Sequence, residues 1–275
     1  MIRPCASKIG GALALALALY LHDAPAAAGC KREFAVPLAP IGISVVLNGD
    51  KLSGIYPSLL DTISAKTGCT FRTSVVPRAR LEAMFEAGKA DILMPATGTP
   101  RRDRYGVFVP MLASRATLIS IDGNRAPVSS MRELLARPEL RVALVRGNDY
   151  GDNYAALVRQ LTEQGRAFME VDPLRVARLL HNGLADVTIM TPTSFAAVLK
   201  EDARVRDMLP RLRFEPLDEL PWLESGVYIS RTSVTETERT MLAAQLRAAY
   251  KSNAVWEKFK RYYPPEVVAA SSRPR

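Results

Sequence analysis

The sequence predicts an α/β fold of two lobes, each a doubly wound, mostly parallel sheet, with two β-crossings between them. Three observations predict it. Short apolar runs of strand character alternate with segments of helical periodicity, which is the pattern of a parallel sheet covered by helices. The strands end in polar turns, where open α/β sheets bind their ligands. No low-complexity linker separates the halves; instead two β-rich stretches, Ala113 to Ile121 and Gly226 to Ser230, carry the chain across and back. Residues 29–118 with 226–275 form the first lobe on this reading, and 119–225 the second. Two crossings permit hinge closure.

The first lobe opens with a β-rich segment, Phe34 to Leu47, broken at Pro37, Pro40 and Gly42 and followed by the turn Asn48-Gly49-Asp50. Helical spacing runs from Ile55 to Thr67, and Gly68 ends it as a C′ glycine. Cys69 to Val76 is a strand, Leu81 to Ala87 a helix stopped at Gly88, and Ile92-Leu93-Met94 a buried strand too short for a helix. In the second lobe Met131 to Ala136 is helical and Leu140 to Val145 a strand ending in Arg146-Gly147-Asn148-Asp149. Helix Tyr154 to Gln164, strand Ala167 to Val171 and helix Leu174 to Asn182 follow. Strand Val187 to Met190 then leads through Thr191-Pro192-Thr193 into helix Ser194 to Lys200. Thr235-Glu236-Thr237-Glu238 reads as a capping box. It starts amphipathic helices through Leu242, Leu246, Tyr250, Trp256 and Phe259 to Tyr263, whose aromatics read as core residues packed on one lobe.

The stretch DILMPATGTPRRDRYGVFVP, Asp91 to Pro110, carries the most chemistry. Its strand ends in Thr97-Gly98-Thr99, Pro100 suits a first helical position and Thr99 an N-cap. Arg101 and Arg102 fall in the first turn, where the helix dipole disfavours cations. Unpaired N–H groups, threonine hydroxyls and guanidinium groups at one junction make an anion receptor, most simply for a carboxylate; the alternative is a solvated basic turn. Pro77-Arg78-Ala79-Arg80 opens the preceding helix and, taken alone, reads as two solvated arginines at a helix start.

The first 28 residues read as a cleavable secretory signal: Arg3 and Lys8, the apolar stretch Ile9 to Leu21, and the small-residue site Pro25-Ala26-Ala27-Ala28. No later segment approaches the roughly 18 apolar residues of a membrane helix. Cleavage removes Cys5 and leaves Cys30 and Cys69, an even pair that reads as a disulfide in an oxidising compartment; the competing reading lipidates Cys30, since Ala28-Gly29-Cys30 resembles the end of a lipobox. Loss of Arg3, Lys8 and Asp23 from 37 basic and 28 acidic side chains leaves 35 and 27, a net charge of +8 on about 247 residues. The basic residues are dispersed, which argues against nucleic acid and for an anionic ligand or an acidic partner surface. His22 leaves with the signal, and His181 sits at a helix C-terminus beside Asn182-Gly183, favourably placed in the dipole. Metal sites and histidine base chemistry therefore find little support, and no cofactor is expected.

Asp91, the turn Thr99 to Arg102 and the strand Phe108-Val109-Pro110 resemble the T-x-x-R region of the bacterial periplasmic solute-binding proteins of family 3, the amino-acid-binding group of type II binding proteins. The resemblance covers essentially the whole mature chain. It implies that Arg102 grips a ligand carboxylate, that Thr97 presents N–H and O–H groups to it, and that Gly147-Asn148-Asp149 binds from the second lobe. It places Leu38 where the family has a stacking aromatic and Thr191 where it has the acidic partner of an α-ammonium, and points Arg78 into the cleft. The implied function is a monomeric, periplasmic substrate-binding protein that closes on a small carboxylate-bearing, amino-acid-like or other anionic solute for an ABC-type permease. The alternatives are a dehydratase-like enzyme on the same fold and a ligand-sensing module for a receptor.

Overall fold

The computed structural model describes residues 1–2, 30, 32–121, 123–251 and 254–274, the side chains of 250 and 254 excepted. Residues 3–28 of the predicted signal segment, with Cys5 and His22, lie outside the described residues. Lobe one begins with β1 (Glu33–Leu38), the hairpin β2 (Val46–Asn48) and β3 (Lys51–Ser53), α1 (Ile55–Thr67), β4 (Thr70–Val75) and α2 (Arg78–Glu86). β5 (Ile92–Thr97), the single turn α3 (Pro100–Asp103) and β6 (Gly106–Ser114) follow. Lobe two comprises β7 (Thr117–Ile121), α4 (Met131–Leu135), β8 (Val142–Val145), α5 (Asp152–Glu163), β9 (Ala167–Glu170) and α6 (Pro173–His181). It ends with β10 (Val187–Met190), α7 (Pro192–Glu201), a 3-10 segment (Arg206–Arg211) and β11 (Leu212–Glu215). The chain returns to lobe one through β12 (Leu223–Ser230), then α8 (Glu236–Lys251), α9 (Ala254–Tyr262), α10 (Pro265–Ser271) and β13 (Ser272–Arg273).

The sheet of lobe two has the order β11-β7-β10-β8-β9. β8 lies parallel to both β9 and β10, while β7 and β11 add antiparallel pairing at one side. In lobe one β1 pairs in parallel with β4, and β5, β12, β6 and β13 form an antiparallel ribbon. Asp91 joins the two parts: its carboxylate takes the Ala35 N–H at 2.7 Å and a two-pronged bond from Arg32 at 2.8 and 2.9 Å, and the Asp91 N–H donates to the Ala35 carbonyl. β7 starts at Thr117 inside the second sheet and β12 at Leu223 inside the first, so the crossings run through 115–116 and 216–222.

Several elements follow directly from local chemistry. Gly68 closes α1 in the left-handed conformation at φ 71°, donating its N–H to the Ser64 carbonyl. The Thr235 hydroxyl and the Glu238 carboxylate cap α8 reciprocally. α8 and α9 bury Leu242, Leu246, Val255 and Phe259 against the lobe-one core with Phe34, Val36 and Ile92. Lobe two has its own cores on the two faces of its sheet, around Leu118, Leu144 and Ile189 on one side and Val145, Met190 and Phe195 on the other. Cys30 is bonded to Cys69, which occupies the sulfur a lipid anchor would need. Closing that 39-residue separation contributes about 4 kcal/mol in the chain-entropy account.

Candidate ligand-binding cleft

Where the lobes meet, residues of both enclose a cavity of about 80 Å³. Lobe one contributes Arg78, Pro95, Ala96, Thr97 and Arg102; lobe two contributes Asn148, Asp149, Tyr150, Thr191, Thr193 and Ser194. The lobe-one wall is built at the carboxyl end of β5. Thr99 caps α3 by accepting the Arg102 N–H, and the Tyr228 hydroxyl fixes the turn, accepting the Thr99 N–H at 2.9 Å and donating to Asp103 at 2.7 Å.

The two arginines of the first turn each have a carboxylate on α2. Arg101 donates through Nε to Glu86 at 2.9 Å. Arg102, only 1% exposed, gives two bonds to Glu82, from Nε at 3.1 Å and Nη2 at 2.8 Å, and a third from Nη1 to the Thr97 carbonyl at 2.8 Å. Arg78 meets the same Glu82 at 2.6 Å and donates to the Pro95 carbonyl at 2.8 Å. Burial alone would raise the Glu82 pKa, but the flanking Arg78 and Arg102 guanidiniums hold it below the ordinary carboxylate range. The cations at this helix start are therefore tolerated because an internal anion answers them. Burial pulls the Arg78 pKa down and Glu82 opposes that pull.

On the opposite wall Asp149 accepts the Gly151 N–H at 3.0 Å from its own lobe, and reaches across to the Thr99 hydroxyl at 3.3 Å and Arg101 Nη1 at 3.4 Å. Asn148 donates to the Tyr150 hydroxyl at 3.1 Å, and burial pushes that phenol up to about 12. The Thr191 and Ser194 hydroxyls are hydrogen-bonded to each other at 2.6 Å. Gly147 marks a close approach of the lobes: at φ 88° a Cβ there would stand 2.7 Å from the backbone N and Cα of Ala79.

Six of the residues singled out from sequence thus line one cavity: Thr97, Arg102, Arg78, Asn148, Asp149 and Thr191. Thr99 and Gly147 sit just behind them as cap and contact. Leu38 is elsewhere; it is fully buried in the lobe-one core, its carbonyl accepting the Val76 N–H. Glu82 was not anticipated, although it lies one turn after Arg78 on the face that also buries Leu81 and Phe85, and that spacing was its signal. Phe259 and Tyr263 belong to the core as expected but also reach the cavity wall.

No family model matches the chain, and no curated protein matches it in sequence. Solved structures do. An ancestral arginine-binding protein bound to arginine aligns over 84% of this chain and 98% of its own at 13% identity, with a TM-score of 0.66. The amino-acid ABC transporter substrate-binding protein AbpA from Streptococcus pneumoniae, bound to L-arginine, aligns over 83% and 94% at 17% identity with a TM-score of 0.64. The fold is that of a type II periplasmic binding protein. The same fold is shared with a histidine kinase sensor domain similar to periplasmic binding proteins, at 15% identity over 84% and 93% with a TM-score of 0.61.

Proposed function

We propose that the protein is an exported, periplasmic solute-binding protein that closes on a small carboxylate-bearing solute and presents it to an ABC-type importer. The observation that carries this reading is the single cavity lined by two arginines from one lobe and by Asn148, Asp149 and Thr191 from the other. The expected grip by Arg102 gives way here: its side chain is 2% exposed and bonded to Glu82 and the Thr97 carbonyl, so Arg78, 11% exposed, is the carboxylate contact and Arg102 with Glu82 holds it in place. Thr97 and Thr191 supply hydroxyls. Asp149 takes the place of the acidic residue that Thr191 replaces, so a zwitterion is accommodated with its ammonium toward lobe two.

A non-catalytic role agrees with the state of the carboxylates. Glu82 is clamped between two guanidiniums, and Asp149 accepts from three donors, so neither is poised as a free base. Mass spectrometry of the compound that copurifies with the protein, followed by calorimetry with that compound, tests the reading. A carboxylate lost on Arg78→Ala is the expected result; a copurifying ligand without a carboxylate, or binding unchanged by the substitution, overturns it. The likeness to a kinase sensor domain favours a second reading, in which closure signals to a receptor. Copurification of the native protein with a permease or with a kinase separates the two.

A further inference from the structure

A second hollow of about 450 Å³ adjoins the inner cavity: Ile41, Arg78 and Asn148 line both. The character changes beyond those three residues. There lobe one offers Pro40, Val75 and Val76, and lobe two offers Val145, Val171 and Leu174. Val75 and Val171 are 43% and 40% exposed, so each lobe leaves bare apolar surface on the same hollow. The lining also holds two acidic groups, Asp172 and Glu201, and Asp172 is already engaged as the N-cap of α6.

Volume divides the labour. The inner cavity is the smaller of the two, about 80 Å³ against about 450 Å³, and its wall of Arg78, Thr97, Arg102, Asn148, Asp149 and Thr191 suits a polar head group. The outer chamber holds several times more and offers little for a polar group to bond. We infer, on the carboxylate reading above, that the solute is a monocarboxylate with an apolar tail: the head meets Arg78, which lines both cavities, and the tail fills the outer chamber between the lobes. Closure then buries tail and valines together, and the acidic pair in the lining disfavours a second carboxylate on the tail.

Calorimetry with acetate, butyrate, hexanoate and octanoate, and in parallel with the matching 2-amino acids, tests this. Affinity is expected to rise about fourfold per added methylene, the ~0.8 kcal/mol of a buried CH₂ converted at 1.4 kcal/mol per tenfold. Octanedioate is expected to forfeit the gain. The variant Val75→Asn with Val171→Asn, at positions 43% and 40% exposed, its fold checked by circular dichroism, should flatten the slope and leave the shortest binding member unchanged. A flat series in the native protein, or an undiminished slope in the variant, overturns the tail assignment while the carboxylate reading stands. No binding by any member of either series also overturns the tail assignment, while the carboxylate reading is decided by the copurified compound and Arg78→Ala.

Discussion

The two walls of the cleft satisfy their charges in different ways. On lobe one Arg78, Glu82 and Arg102 come from α2 and α3, and their ion pairs and the Thr97 and Pro95 carbonyls are all supplied by that lobe. That wall is complete whether the cleft is open or shut. On lobe two Asp149 draws one hydrogen bond from its own Gly151 and two from Thr99 and Arg101 across the gap. It is complete only on closure. One wall is a preassembled receptor, the other a latch, and substitutions in the two should report on different equilibria.

The largest effect is expected at Glu82. Glu82→Ala leaves two buried guanidiniums sharing no anion, and removing one partner of a buried ion pair costs about 3–5 kcal/mol; denaturant unfolding measures it, and a loss below 1 kcal/mol would show that lobe one is not preassembled. Gly147→Ala comes next. A residue forced to positive φ costs about 1–3 kcal/mol, and its Cβ meets the Ala79 backbone, so small-angle scattering should find a protein that no longer contracts with ligand. Asp149→Asn is milder. Arg101 is 42% exposed, so the pair is worth at most about 1 kcal/mol after solvent screening; folding stability should hardly move, while the open form gains population in the same scattering measurement.

The gentlest probe is pH. The folded pKa of Glu82 is depressed below its usual 4.5, so its contribution is fully present above that value and disappears as pH falls through the lower folded one. The native protein should lose stability with acid more steeply than Glu82→Gln in this window, and parallel pH profiles would remove the charged network from the account of lobe one.

Much of this arrangement could be read from the chain because its signals are local. Thr99, Pro100 and Gly68 are caps and turn residues whose geometry depends on near neighbours, and the alternation of strand and helix set the lobes. Arg102 was placed at the site, yet its partner was not, because Glu82 is twenty residues away and only the fold makes them adjacent. Leu38 followed a family position rather than a physical signal, and its apolar side chain went to the core. α10 and β13 were missed for a related reason. β13 pairs with Ala113 and Ser114 of β6, a long-range contact that two residues cannot announce.

The antiparallel ribbon of lobe one also imposes an order in time. β12, which lies between β5 and β6, is encoded after the whole of lobe two. In a chain that emerges N-terminus first, lobe two has every strand of its sheet by Glu215, while β5 and β6 wait for a neighbour still to come. The Cys30–Cys69 bond lies entirely within the waiting portion and can form before β12 arrives. It tethers the start of β1 to the start of β4, so the earlier-made half of the receptor is held in register until the later half reaches it.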